Sequence, residues 1–174
     1  MTIVEQVKSN NITKLRLTWN DDDAIDNIHD LIDAIEKNTS LLTVELLDEF
    51  LGCLRNDARS ELLRALTFIP CLQEVRLEDG LVAMSAITDL LCKVKGLKVL
   101  TLKNIVLQGI AADFDATEMA LHQHCSIKEF SLQDCRPAVS GISMDTLVLP
   151  GKTLSTSGTI RVGESSMQAN ARSA

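Results

Sequence analysis

The sequence predicts an α/β solenoid of about five to six repeats, with a curved parallel β-sheet on its concave face and helices on its convex face. Three observations predict it. An aliphatic pattern, apolar at its first, fourth and sixth positions, recurs five times at near-constant spacing. Between the copies the apolar period changes from two to that of a helix. Hydrophobic residues make up 45% of the 174 residues but aromatic ones only 3%, with four Phe, one Trp and no Tyr. Such an aliphatic composition suits thin layers stacked on one another better than one bulky core.

The copies are Ile12-x-x-Leu15-x-Leu17, Leu41-x-x-Val44-x-Leu46, Leu72-x-x-Val75-x-Leu77, Leu97-x-x-Leu100-x-Leu102 and Ile127-x-x-Phe130-x-Leu132, with a weaker sixth at Met144-x-x-Leu147-x-Leu149. Successive starts lie 29, 31, 25 and 30 residues apart, then 17. Within each copy, positions 4 and 6 point to one face of a short strand and positions 3, 5 and 7 to the other. The intervening segments read as helices. Ile25, Ile28, Leu31, Ile32 and Ile35 line one face of the first. Ala58, Leu62, Leu66 and Ile69 line the second, and Ile87, Leu90, Leu91 and Val94 the third. In the fourth, Asp115 is expected as N-cap with Glu118 closing a capping box, and Phe114 and Met119 as a hydrophobic staple. A unit of this size cannot bury its apolar face alone, so the units must stack and their strands must form one parallel sheet.

The strand motif, a helix of about three turns and the 25–31 residue spacing resemble the leucine-rich repeat family. The junctions Ala34-Ile35-Glu36-Lys37-Asn38-Thr39-Ser40-Leu41 and His124-Cys125-Ser126-Ile127 resemble its ribonuclease-inhibitor-like, intracellular subtype. The resemblance covers residues 1–149. The family's ninth-position Asn or Cys matches at Asn20 and Cys135 but not at Glu49, Gly80 or Ile105, so irregular middle loops are expected. Residues 4–10 read like residues 32–38, so the solenoid is expected to begin mid-repeat. Pro137 and Gly141 shorten the last connection. Residues 150–174 form a Ser/Thr/Gly-rich C-terminal segment with a short strand at Thr159-Ile160-Arg161-Val162, and the final dozen residues are expected to be mobile.

Charge and motifs narrow the function classes. A formal net charge of -7 argues against nucleic acid or an anionic membrane as the main partner and favours a basic protein. No apolar segment approaches the roughly 20 residues of a membrane helix, and residues 1–11 hold no signal-peptide stretch. Five cysteines without a C-x-x-C, together with no export signal, predict a cytoplasmic protein with reduced thiols. Gly151-Lys152-Thr153 imitates a phosphate loop, but its required upstream glycine is Thr146. His122, His124 and Cys125 lack a fourth ligand and the spacing of a zinc site, and read better as a helix end with a buried thiol. Asp21-Asp22-Asp23 lacks calcium-loop spacing and reads as a helix N-terminus. No nucleophile context occurs, so no enzyme, cofactor or small-molecule substrate is expected.

The remaining chemistry lies on the strands. Position 5 reads Arg16, Glu45, Arg76, Thr101 and Ser131. Position 3 reads Lys14, Thr43, Glu74, Val99 and Glu129, and position 7 reads Thr18, Leu47, Glu78, Lys103 and Gln133. In register, Arg16, Glu45 and Arg76 alternate in sign and Glu78 faces Lys103, giving either a face that satisfies itself or a mixed-charge platform. Position 8 reads Trp19, Asp48, Asp79, Asn104 and Asp134, which with Asp21, Asp22, Asp23, Glu49 and Glu78 forms an acidic rim. Trp19 is either an aromatic anchor at its end or packed against residues 20–24. The resemblance implies a non-catalytic protein–protein interaction scaffold presenting the concave face and this rim. The alternative it implies is a GTPase-activating or other regulatory protein of the ribonuclease-inhibitor-like class, against which the non-acidic tail with Arg161, Glu164 and Arg172 counts.

Overall fold

A computed structural model describes residues 1–142, 144 and 147, and the backbone of 159–161. The chain is a mixed α/β structure built on a parallel sheet. Strands β1 (Lys14–Leu17), β2 (Thr43–Leu46), β3 (Glu74–Ala83), β4 (Val99–Gln108) and β5 (Glu129–Gln133) lie side by side in chain order, each parallel to the next. The register pairs like positions of the repeated motif. Leu15, Val44, Val75, Leu100 and Phe130 form one row; Leu17, Leu46, Leu77, Leu102 and Leu132 form the other. All ten are buried. The alternation of the sequence thus dictates which sheet face is covered, because a one-residue slip would expose every one of these side chains.

Helices cover that face. They are α1 (Ile3–Lys8), α2 (Asp22–Asp26), α3 (Ile28–Glu36), α4 (Phe50–Cys53), α5 (Asn56–Leu66), α6 (Met84–Lys93) and α7 (Ala111–Gln123). Among the longer ones α1 packs on α3, α3 on α5, α5 on α6 and α6 on α7. Their inward residues, such as Leu31 and Ile35, Leu62 and Leu66, Ile87 and Leu91, and Phe114 and Leu121, join the strand rows in one continuous core. The first helix carries a capping box: the Thr2 hydroxyl accepts the Glu5 N–H at 3.2 Å, and the Glu5 carboxylate accepts the Thr2 N–H at 2.8 Å. That backbone hydrogen bond is the main cause holding the Glu5 carboxyl below its ordinary pKa.

Several expectations need correction. Residues 25–35 are not one helix, because Asn27 leaves the helical region (φ -110, ψ 34) and separates α2 from α3. The box at Asp115 does not form: α7 starts at Ala111, and the Asp113 carboxylate accepts the Ile110 N–H at 2.8 Å. Nor does the staple, since Phe114 is buried while Met119 is 61% exposed. Burying Phe114 requires a helical turn ahead of it, which moves the start upstream of Asp115. Of the three middle loops expected to be irregular, the one at Glu49 is, while those at Gly80 and Ile105 are replaced by regular ladder. Strands β3 and β4 continue past the motif as a second ladder, Gly80↔Ile105 to Ala83↔Gln108, and β6 (Arg136–Pro137) pairs with Val106 and Leu107. Ile105, Val82 and Leu107 are fully buried there, so apolar packing takes the place of a loop-binding side chain. A Cβ on Gly80 would lie 2.9 Å from the Leu51 Cβ, so glycine is what admits α4 against β3.

At the far edge β7 (Thr159–Arg161) pairs antiparallel with β5. It takes the place expected for the sixth copy, Met144-x-x-Leu147-x-Leu149. The seventeen residues between fifth and sixth copies are short for a strand, a returning helix and a turn, and an antiparallel strand needs no crossover. Leu147 is buried; Leu149, Val162, the final dozen residues and the Gly151-Lys152-Thr153 triplet lie outside the described residues.

Two polar side chains stitch layers together. Buried Asn38 donates to the Val7 carbonyl at 2.7 Å, and its Oδ1 accepts the N–H groups of Ser40 and Leu41 at 2.9 Å each. His124 repeats the arrangement with a ring. Its Nδ1 accepts from Ser126 and Ile127 (3.3 and 3.1 Å), which places its proton on Nε2, 3.0 Å from the Val94 carbonyl. His124→Asn is therefore expected to stay within about half a kcal/mol of the parent, while His124→Ala loses about 1–3 kcal/mol. Urea denaturation of both variants checks this; equal losses would show that the ring only fills space.

Candidate functional site

The sheet face turned away from the helices carries positions 3, 5 and 7. The register sets Arg16 against Glu45 and Glu45 against Arg76, as the alternating signs suggested. Arg16 and Arg76 do not pair with Glu45, whereas Glu78 and Lys103 do meet as their register suggested. Lys14 Nζ reaches the nearly buried Glu45 carboxylate at 2.8 Å, and Lys103 Nζ lies 3.6 Å from Glu78. Arg16 and Arg76 form no ion pair among the described residues, and the Nε of Arg76 is sealed from solvent without a hydrogen-bond partner. Leu47 is 6% exposed and does not belong to an open face. Thr101 and Ser131 are also buried, and the Ser131 Oγ accepts from the Gln133 amide at 3.2 Å. The face is thus open at Lys14 and Arg16 on β1 and at Lys103 on β4, half-buried along β3, and closed at Glu45, Leu47, Thr101 and Ser131.

The rim has a backbone origin. Asp48, Asp79, Asn104 and Asp134 all have positive φ (48, 54, 50 and 53°), as does Glu49 at 61°. Asp and Asn tolerate this left-handed region best among residues with a side chain. Strands β2 to β5 therefore bend at the same position, and each bend selects a residue type that is often charged. Glu49 has no such excuse: a Glu in this region is strained, and its side chain is exposed.

The carboxylates are not evenly spread. Oxygens of Asp48, Glu78 and Asp79 come within 4.8 Å of one another, and Asn104 donates to Asp79 at 2.7 Å. Lys103 and Asn104 then interrupt the row, leaving Asp134 about 10 Å further along the sheet. At the other end Trp19 is 54% exposed, and its backbone N–H donates to the Asp48 carbonyl at 3.3 Å. The Trp19 backbone thus lies beside the acidic cluster, and its side chain is more than half exposed. Among residues 20–24 Asp21 turns back, accepting from the Thr18 N–H and hydroxyl at 2.6 and 3.1 Å. Asp22 and Asp23 occupy the first turn of α2, where they complement the helix dipole.

Asp48, Glu78 and Asp79 are the described carboxylates close enough to share one cation. Two of the three are already engaged by Lys103 and Asn104, which is thin for a calcium shell of 6–8 oxygens. A basic side chain, needing fewer acceptors, suits them better. His124 stitches layers, and His122 lies 3.9 Å from Glu118 across one helical turn. Cys125, expected as a buried thiol, is exposed, because the chain turns outward as soon as α7 ends. The Cys135 Sγ donates to the Leu102 and Gln133 carbonyls at 3.4 Å each. Burial pushes the Cys135 thiol pKa up and keeps that donor protonated. Asn20 is exposed and makes no such contact.

Comparisons with protein-family models and with curated proteins give no match. Among solved structures, one titled leiomodin-1 actin-binding site 2 is similar, with a TM-score of 0.54 and 14% sequence identity. The alignment covers 79% of this chain and 78% of that one, and at this identity the likeness concerns the fold alone. Among the described residues no helix is long and apolar enough to cross a membrane.

Proposed function

We propose that the chain is a leucine-rich repeat solenoid of the ribonuclease-inhibitor-like type, serving as a non-catalytic scaffold that binds a basic protein segment along its acidic rim. The observation that carries this reading is the convergence of the Asp48, Glu78 and Asp79 carboxylates next to an exposed Trp19. Three carboxylates this close repel one another and are relieved by an incoming cation. Trp19 adds a flat aromatic surface of the kind that anchors interfaces and stacks on cationic side chains. The like-to-like parallel register of the five strands and the layer-to-layer bonds of Asn38 and His124 support the solenoid. The exposed thiols of Cys53, Cys92 and Cys125 support a reducing, cytoplasmic setting.

A short fluorescent oligolysine peptide tests the rim. The triple variant Asp48→Asn, Asp79→Asn, Asp134→Asn keeps residues that tolerate the left-handed backbone, so its fold should persist. Its control, Asp26→Asn, Asp30→Asn, Asp33→Asn, removes the same charge from exposed positions of α2 and α3. The rim variant is expected to bind about tenfold more weakly and with a flatter response between about 50 and about 300 mM salt. If both variants weaken binding equally, only net charge matters and the rim is a soluble edge.

A further inference from the structure

Arg76 stands apart from the other cations of the sheet. It is half-buried on β3, between the buried Glu45 of β2 and the buried Thr101 of β4. Of the carboxylates around it on this face, Glu45 is held by Lys14 and Glu78 by Lys103, and Glu74, two residues earlier on β3, forms no ion pair with it. No donor of its guanidinium finds an acceptor among the described residues, and its Nε is closed off from water as well. An always-charged guanidinium without an acceptor of its own favours one brought from outside, which would meet its terminal nitrogens and not the sealed Nε. The terminal nitrogens are not sealed, so such an acceptor has an approach.

We propose that Arg76 is the seat of a carboxylate from the same partner whose basic side chains engage the rim. The inference rests on the rim reading above and adds a second, opposite-charge contact to it. Arg76 lies three residues before Asp79 on one strand, which sets the two contacts about 10 Å apart. The partner segment therefore carries a basic cluster and an acidic residue separated by two or three residues. A uniformly basic segment satisfies the rim but leaves Arg76 unpaired, whereas this pattern satisfies both.

Peptides with a free choice of spacer test it: acetyl-Lys-Lys-Gly-Gly-Glu-amide against the same peptide ending in Gln, titrated by NMR into the full chain and into Arg76→Gln. The Glu peptide is expected to bind about fivefold more tightly than the Gln peptide to the parent, and to shift the Arg76 Nε–H resonance. Against Arg76→Gln the two peptides should bind alike. An advantage for Glu that survives in Arg76→Gln, or no advantage in the parent, overturns the Arg76 seat while leaving the rim intact. If neither peptide's binding responds to the rim substitutions, the rim reading itself fails and this inference with it.

Discussion

Replacing Leu100 by alanine is expected to lower the stability of this protein by about 2–5 kcal/mol. Leu100 is fully buried in the fourth strand, in register with Val75 on one side and Phe130 on the other. Its side chain belongs to two layer contacts at once. Removing three heavy atoms there leaves a cavity lined by both neighbouring strands, and a paired parallel ladder has little freedom to collapse into it. Urea denaturation reads the loss directly as a lower midpoint at unchanged slope. The surface change Lys98→Ala, at an exposed position one residue before the same strand, should stay within about half a kcal/mol. A loss that small at Leu100 would mean that the core rows are not the ones described.

Arg59→Met is expected to cost about 2–4 kcal/mol, an effect that no feature of the repeated motif announces. The guanidinium of Arg59 is a clamp among three elements. Its Nε donates to the Leu51 carbonyl at 2.8 Å, one terminal nitrogen to Leu54 at 2.9 Å, and the other to Leu81 and Asn56 at 3.3 Å each. These are the carbonyls that the short helix α4 leaves unpaired at its end, plus one from the second half of β3. Methionine keeps the aliphatic stem but supplies no donor, so the carbonyls lose a charged partner in a half-buried site. Hydrogen exchange should quicken first in β3 from Gly80 to Ala83, ahead of the motif half of the same strand. Should Arg59→Met prove neutral and exchange stay uniform, water reaches those carbonyls and the clamp is dispensable.

The sequence by itself determined the strand rows, their register and the covered face. Leu15, Val44, Val75, Leu100 and Phe130 share one position of a repeated pattern, and parallel pairing of like positions is the arrangement that buries all of them together. It also placed an Asp or Asn at one position of four of the five units, although the reason, a left-handed bend that favours both, became visible only in the backbone angles. Helix boundaries were less legible. Periodicity ran straight through Asn27, and the start of α7 depended on where Phe114 had to reach the core. The tertiary structure alone decided which charges meet. Lys14 rather than Arg16 captures Glu45, because pairing depends on side-chain reach and not on register. Glu78 and Asp79 converge with Asp48 across two strands, although thirty residues of chain separate them. Local pattern encodes which way a side chain faces, since that follows from the backbone's own period. Which partner it meets there depends on distances between strands that only the assembled sheet defines.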